Sequence, residues 1–306
     1  MPTKIEWTHS TWNPVTGCTK VSAGCQNCYA ERMAKRLAGR YGYPADEPFR
    51  VTLHEDQLSK PLSWRKPRMV FVCSMGDLFH EDVPDEFITK VFDVMAEARW
   101  DGHIFQVLTK RPQRMREFLL AREALSAPNV WLGVSAENQE TADQRIPILL
   151  DTPAAVRFVS CEPLLGPVDL YHYLAIWSPA GDRETWEHDD TCDEVQLDWV
   201  ICGGESGSKA RPMHPLWALR ISRQCQAARV PFFFKQWGSW DPIYYVTEDD
   251  PDHYLLCLTP GRNEIILNDP VSGVRVNMRR VGKKKAGREL DGRTWDEFPN
   301  TGEEQR

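Results

Sequence analysis

Three cysteines, Cys18, Cys25 and Cys28, fall within the stretch "GCTKVSAGCQNCYAERMAKRL" (17–37), where Gly17 and Gly24 mark a loop and a helical run follows. Thiols at this spacing can serve a metal or redox centre in three ways. Zinc takes four ligands in a closed structural site. No second CxxC or spaced histidine pair lies nearby, so zinc needs a distant fourth ligand such as Cys73 or Cys161. A redox pair needs only Cys25-Gln-Asn-Cys28 and gives Cys18 no part. A [4Fe–4S] cluster ordinarily takes four cysteines. With three, one iron stays open to a small molecule, which accounts for a triplet without a fourth partner.

The elements that position such a loop can be read from Met69 onward. Six short apolar runs alternate with helical stretches: "RMVFVCSMGDLF", "HIFQVLTKRP", "NVWLGVSAEN", "AVRFVSCEPLLGP", "LDWVICGGESG" and "VPFFFKQWGSW". The intervening "VPDEFITKVFDVMAEARW" has Phe87, Val91, Val94, Met95 and Ala98 at helical spacing, with Pro84 suited to the first turn. Continuous rather than alternating runs indicate a parallel sheet covered on both faces. Six strands are predicted after the cysteines and one more near Ile5–Trp7. The predicted fold class is α/β, a complete or partial (β/α) TIM-like barrel. A doubly wound open sheet is the alternative; no GxGxxG follows the first strand to support dinucleotide binding. The predicted division is a barrel core over 1–240, with an acidic insertion at 169–196, and a C-terminal extension over 241–306. The basic "RRVGKKKAGR" in that extension reads first as a solvated strand or loop, and nucleic-acid contact is the second reading. The terminal "DGRTWDEFP" is expected to pack back on the core.

In parallel α/β sheets ligands bind at the carboxyl ends of the strands. The residues following the six runs are Ser74 and Asp77; Lys110 and Arg111; Ser135, Glu137 and Asn138; Cys161 and Glu162; Gly203, Gly204 and Glu205; Lys235 and Gln236. Lys110, Arg111 and Lys235 can hold a carboxylate or phosphate. Asp77, Glu137, Glu162 and Glu205 can bind amines or ribose hydroxyls. Gly203 and Gly204 let a ligand approach the backbone. The eight histidines form no ligand-spaced pair, and no HExxH is present.

Composition sets the outer bounds. The 306 residues are 42% hydrophobic and 26% charged, with net charge −7, so no global field attracts nucleic acid and any such contact needs a local basic patch. No apolar run approaches membrane-spanning length, and "MPTKIEWTHS" lacks a signal-peptide core, so a cytoplasmic protein without a membrane partner is expected. The nine cysteines are an odd count in a long chain, which argues for a metal site over a disulfide framework. The other six are read as small buried hydrophobes.

The triplet, near the start of a barrel-like chain, resembles the radical S-adenosylmethionine (SAM) superfamily. More narrowly, "WNPVTGCTKVSAGCQNCYAERMAKR", "VFVCSMGDLFHEDVP", "QVLTKRPQRM", "VWLGVSAENQ", "RFVSCEPLLGP", "WVICGGESG" and "FFFKQWG" resemble a phage- and bacteria-borne three-Cys-motif family described as of unknown function. The resemblance implies a [4Fe–4S] cluster on Cys18, Cys25 and Cys28, whose open iron chelates the amino and carboxylate groups of SAM. Cluster reduction then cleaves SAM to a 5′-deoxyadenosyl radical, with electrons from an external donor. The first gap is three residues longer than the usual CxxxCxxC, and Gln26 stands where an aromatic residue often follows the middle cysteine. Ser74 and Asp77 lie closest to the superfamily's glycine-rich motif for the SAM amino group. By position alone, Lys110 is assigned to the SAM carboxylate, and Ser135, Glu137 and Asn138 to the cofactor-binding set, the last two toward ribose. Lys110, Glu162, Glu205 and Lys235 are assigned to the substrate, expected to be a nucleic acid or nucleotide. The other reading is a non-catalytic, zinc- or cluster-stabilised protein that binds nucleic acid or a partner.

Overall fold

The computed structural model describes residues 3, 5–122, 127–174, 195–244 and 263–300. Most of the predicted acidic insertion lies outside them, as do Cys192, Cys257 and the "HYLLCLT" segment.

The strands are β1 (Ser10–Trp12), β2 (Val15–Thr16), β3 (Thr52–Leu53), β4 (Met69–Val72), β5 (Ile104–Thr109), β6 (Val130–Ser135), β7 (Val156–Cys161), β8 (Trp199–Gly203), β9 (Phe232–Gln236), β10 (Trp240–Tyr244), β11 (Glu264–Asn268) and β12 (Arg275–Arg280). Seven of them form one sheet in the order β1-β4-β5-β6-β7-β8-β9. The pairs β1–β4, β4–β5, β5–β6, β6–β7 and β8–β9 run parallel. The six runs after the cysteines are β4 to β9, as predicted. The order ends at β1 and β9, so the α/β fold is a partial (β/α) barrel rather than a closed one.

The added strand differs from expectation. It is Ser10–Trp12, not Ile5–Trp7. Trp7 is instead buried, with its ring 4.6 Å from Phe71 and 6.4 Å from Phe158, and its carbonyl accepts from Gln106 Nε2 at 3.2 Å. The His9 N–H and the Thr8 hydroxyl both donate to the Met69 carbonyl, which turns the chain into the sheet one step later.

Two compact units divide the chain. The first contains 1–135 and 144–160, the second 136–143 and 161–306. In the first, α1 (Tyr29–Leu37) follows the cysteine loop, and α2 (Asp85–Glu97) and α3 (Pro112–Leu120) follow β4 and β5. Helix α2 buries Phe87, Ile88, Val91, Phe92 and Met95; of the predicted face Phe87, Val91, Met95 and Ala98 are buried, Val94 is half-buried, and Ile88 and Phe92 widen it. Burying such side chains is worth about 1.5–3 kcal/mol each, more than the differences in helix propensity along the segment. Pro84 sits one position earlier than expected, as the extended residue before the helix.

In the second unit, α5 (Pro215–Ala228) lies between β8 and β9 in sequence. Strands β10, β12 and β11 form an antiparallel sheet over Ala210, Trp240, Val276 and Met278. A short turn of helix, here α6 (Lys283–Ala286), follows β12. The terminal segment packs back as predicted: the Phe234 N–H bonds the Trp295 carbonyl at 3.0 Å, Trp199 Nε1 bonds the Glu297 carbonyl at 2.9 Å, and Phe298 packs on Phe233. The remaining helix, α4 (Gln139–Leu150), runs through both residue sets. Among the described residues, no helix is long and apolar enough to cross a membrane.

Candidate functional site

The cysteine loop is tied to the carboxyl end of β4 by backbone contacts that need glycine. Gly17, with φ +84°, donates its N–H to the Met75 carbonyl at 3.0 Å and pairs with Gly76 in a parallel bridge. A Cβ on Gly76 would stand 2.9 Å from the Gly17 carbonyl, so the approach depends on both residues. The Cys18 N–H bonds the Phe49 carbonyl at 3.2 Å, and Lys20 pairs with Glu31 of α1 at 3.2 Å. Cys25 closes a 3-10 turn over Ala23–Cys25, its sulfur 3.9 Å from the Ser22 hydroxyl. Cys28 is the residue before α1, where the helix dipole favours negative charge. All three thiols are free and half-buried.

A charged network meets Cys18. Asp77, in the loop after β4, is buried and accepts from the Thr109 hydroxyl at 2.7 Å, the Phe79 N–H at 3.0 Å and the Lys110 N–H at 3.2 Å. Arg111, after β5, reaches Asp77 at 3.3 Å, Cys18 Sγ at 3.3 Å, Glu81 at 2.9 Å and the Thr19 hydroxyl at 2.7 Å. Its side chain is 10% exposed and that of Asp77 8%. Burial works against the Arg111 charge, but Asp77 and Cys18 outweigh it and raise its pKa. Burial and then Asp77 push the Cys18 thiol up to about 11, against the opposing pull of Arg111, and Cys25 adds to the rise. Cys18 accordingly donates its S–H to the Thr19 carbonyl at 3.3 Å while accepting from Arg111. His80 is fully buried; burial, then Arg111, lowers its pKa, so it is neutral at pH 7. The Asp82 N–H donates to its Nδ1, leaving the proton on Nε2 to bond Thr19 at 2.9 Å.

Ser74 lies beside this network and donates to Asn13 Oδ1 at 3.1 Å, which also accepts the Met75 N–H. Lys110 is half-buried beside it. Ser135 is buried at the end of β6, and its carbonyl accepts from Arg145 at 2.7 Å.

The second unit carries its own set of strand-end groups. Glu162, after β7, pairs with Lys235 of β9 at 3.1 Å, the two side chains 14% and 18% exposed. A Cβ on Gly203 of β8 would stand 2.6 Å from Glu162 Oε1 and 3.3 Å from Lys235 Cβ, so the ion pair packs closely over the glycine. Glu205 is buried and takes a bidentate pair from Arg211, at 2.7 and 2.9 Å, together with the Arg211 N–H at 2.8 Å. Glu137 is fully buried, with its backbone held by Thr141 and Leu165. Asn138 caps α4: its Oδ1 accepts the Thr141 N–H at 3.0 Å, and the Thr141 hydroxyl accepts the Asn138 N–H at 3.1 Å.

Within each unit the predicted residues do cluster: Cys18, Ser74, Asp77, Lys110 and Arg111 in one, Glu162, Gly203 and Lys235 in the other. Sequence reasoning missed Thr19, Glu81 and His80, which complete the Arg111 network, and Asn13 and Arg211, which occupy Ser74 and Glu205. No spacing rule signals contacts such as Cys18 to Arg111, 93 residues apart. Cys73, Cys161, Cys202 and Cys225 are buried, the reading given to isolated cysteines, and burial pushes all four thiols up. In donor chemistry the triplet fits an iron–sulfur cluster: three free, half-buried thiols on one pinned loop. Among the described residues no three His, Cys, Asp or Glu side chains are already gathered as a ligand set, so the three sulfurs must draw together to take one up.

Fold and site together define an α/β protein of the partial-barrel class, with a three-thiol loop and charged strand ends. The chain belongs to the family described as "Protein of unknown function (DUF5131)", whose family model it matches over residues 2–299. Among solved structures it is similar to a cysteine-to-serine mutant of spore photoproduct lyase, with 11% identity, 94% of this chain and 72% of that chain covered, and a TM-score of 0.44. No curated protein matches the chain.

Proposed function

We propose that this chain is a radical SAM-type enzyme whose Cys18, Cys25 and Cys28 hold a [4Fe–4S] cluster. The observation that carries the reading is the free thiol triplet on a loop pinned to the carboxyl end of β4, with Arg111 donating to one sulfur. When bound, the cluster and SAM supply a 5′-deoxyadenosyl radical for hydrogen abstraction, with an external donor providing the electron. The chain's own residues bind and orient. Arg111 holds Cys18 through a charge-assisted N–H···S contact and is itself held by Asp77, Glu81 and Thr19. Lys110, Ser74 and Asp77 are assigned to SAM, with Ser135, Glu137 and Asn138. Because Asp77 and Asn138 already satisfy backbone donors, their part is chiefly to fix the loops that meet the cofactor. Glu162 and Lys235 form a half-open ion pair able to take a phosphate or hydroxyl of substrate, and Glu205 fixes the neighbouring turn through Arg211. The substrate is a nucleic acid or nucleotide. The division into a 1–240 core and a 241–306 extension is part of this reading.

A second reading is favoured by one observation: Asp77, Glu205 and Asn138 have internal partners that explain them without a ligand. It makes the chain a non-catalytic, metal-stabilised binding protein. Anaerobic reconstitution with iron and sulfide separates the two. The first reading expects about four irons per chain, reductive cleavage of SAM to 5′-deoxyadenosine, and loss of iron in Cys28→Ala but not in Cys161→Ala. One tightly bound zinc, lost in Cys161→Ala, with no SAM cleavage, would sink it.

A further inference from the structure

The chain is acidic overall at −7, yet residues 275–293 hold eight Lys or Arg against two carboxylates; Arg279, Arg288 and Arg293 pair with Glu264, Asp296 and Glu297, which leaves a local excess of +3. Such a run on a loose tail would be an ordinary solvated segment. This one is pinned at both ends. The Val281 and Gly282 N–H groups donate to the Ser239 carbonyl at 3.1 and 3.0 Å. On the far side of α6, the Trp237 N–H bonds the Gly287 carbonyl at 3.2 Å, Trp237 Nε1 bonds the Glu289 carbonyl at 2.7 Å, and Arg288 Nε bonds the Lys235 carbonyl at 3.0 Å. Lys235, Trp237 and Ser239 belong to one short stretch at the end of β9, so the turn that carries the three lysines of α6 is held to the strand end that also carries Lys235. Lys283, Lys284 and Lys285 are exposed. Arg279 and Arg288 are committed to Glu264 and Asp296, whereas Lys284 and Lys285 have no ion-pair partner among the described residues.

From this geometry we infer that the α6 turn is a docking platform for the phosphate backbone of a single-stranded nucleic acid, which it presents to Glu162 and Lys235. The inference rests on the substrate class proposed above and locates where that substrate is held. A narrow polyanion suits the patch better than a wide anionic face. Charges act over about 8–10 Å in physiological salt, so a single strand laid along α6 is held chiefly by Lys283, Lys284 and Lys285. A membrane surface or an acidic protein face is wide enough to meet the exposed carboxylates of Glu289 and Asp291 beside the turn as well. Mobile cations displaced from the strand supply the binding energy, and the rigid mount limits the ordering cost.

The test uses the full chain without added iron, a fluorescein-labelled 20-nucleotide single-stranded DNA and its RNA equivalent, and anisotropy over a salt series. Two phosphate contacts contribute about 1.4 to the slope of log K against log salt, or about 25-fold in affinity at 0.1 M. Lys284→Gln/Lys285→Gln is therefore expected to lower affinity by about that factor and to flatten the slope by that amount. Arg65→Gln/Lys66→Gln, on exposed cations elsewhere, should bind like wild type. Circular dichroism and thermal midpoint should match for all proteins. SAM cleavage by the reconstituted α6 variant without oligonucleotide should be unchanged, so this inference and the cluster assignment fail separately. Absence of binding, binding indifferent to the two lysines, or equal competition by phosphatidylserine vesicles or polyglutamate would overturn it.

Discussion

Replacing Arg111 with Gln is the sharpest probe of the cysteine loop. The guanidinium lies 3.3 Å from the Asp77 carboxylate, and both side chains are nearly buried. At an effective dielectric of about 20, two unit charges at that distance attract by about 5 kcal/mol. Desolvation of the arginine offsets part of this. Removing one partner of a buried pair leaves the other uncompensated and typically costs about 3–5 kcal/mol. Asp77 keeps its bonds from Thr109, Phe79 and Lys110, so the low end, about 3 kcal/mol, is expected. In a unit of this size that lowers the thermal midpoint by about 6–12 °C. The same substitution removes the only charged donor to the Cys18 sulfur among the described residues. Cys18 should then label faster with iodoacetamide at pH 7.5, because Cys18 and Thr19 lose the guanidinium that ties them to Asp77 and Glu81, and only the Thr19 contacts to His80 and Glu81 remain. Asp77→Asn/Arg111→Gln should recover at least half of the stability, since neither charge is then left buried alone, while fast labelling persists. Midpoints from calorimetry and peptide-level mass spectrometry read both effects. A loss under 1 kcal/mol in the single variant, with additive behaviour in the double, would refute the account of Arg111 as the group that holds the loop.

Two further outcomes follow from the geometry. His54, His80, His103 and His214 all have pKa values lowered chiefly by burial, so the unfolded chain takes up protons near pH 6.5 that the native chain refuses; stability is fully present above that pH and is lost as pH falls through the lowered values, which urea midpoints at pH 7.5, 6.0 and 5.0 should show as a steady decline. Gly203→Ala puts a methyl 2.6 Å from Glu162 Oε1 and 3.3 Å from Lys235 Cβ, so the carboxylate must shift and the pair rearrange; a cost of about 1 kcal/mol is expected from thermal melts, and a crystal structure of the variant with Glu162 unmoved would contradict it.

How far the sequence alone reached depended on the range of each interaction. Six parallel strands were legible because their residues are buried on both faces, so the apolar runs are continuous and owe little to distant partners. The first strand lies later than the sequence suggests because Ser10–Trp12 is less apolar than Ile5–Trp7, and the choice is made by Trp7 packing on Phe71 and Phe158 far along the chain. Strand ends likewise marked out polar residues without saying what they would touch. Arg111 could be read as an anion holder, but only the fold brings Asp77, Cys18, Glu81 and Thr19 around it. Glu205 and Asn138 were legible as polar and not as paired, since an arginine six residues on and a threonine three residues on are too common to mark a bidentate clamp or a helix cap. A free cation or carboxylate at a strand end is therefore weak evidence of a ligand until its neighbours are known. A charge pair packed over a strand glycine, as Glu162 and Lys235 are at Gly203, is stronger evidence, although the register shift of β8 against β9 at that residue also favours glycine there.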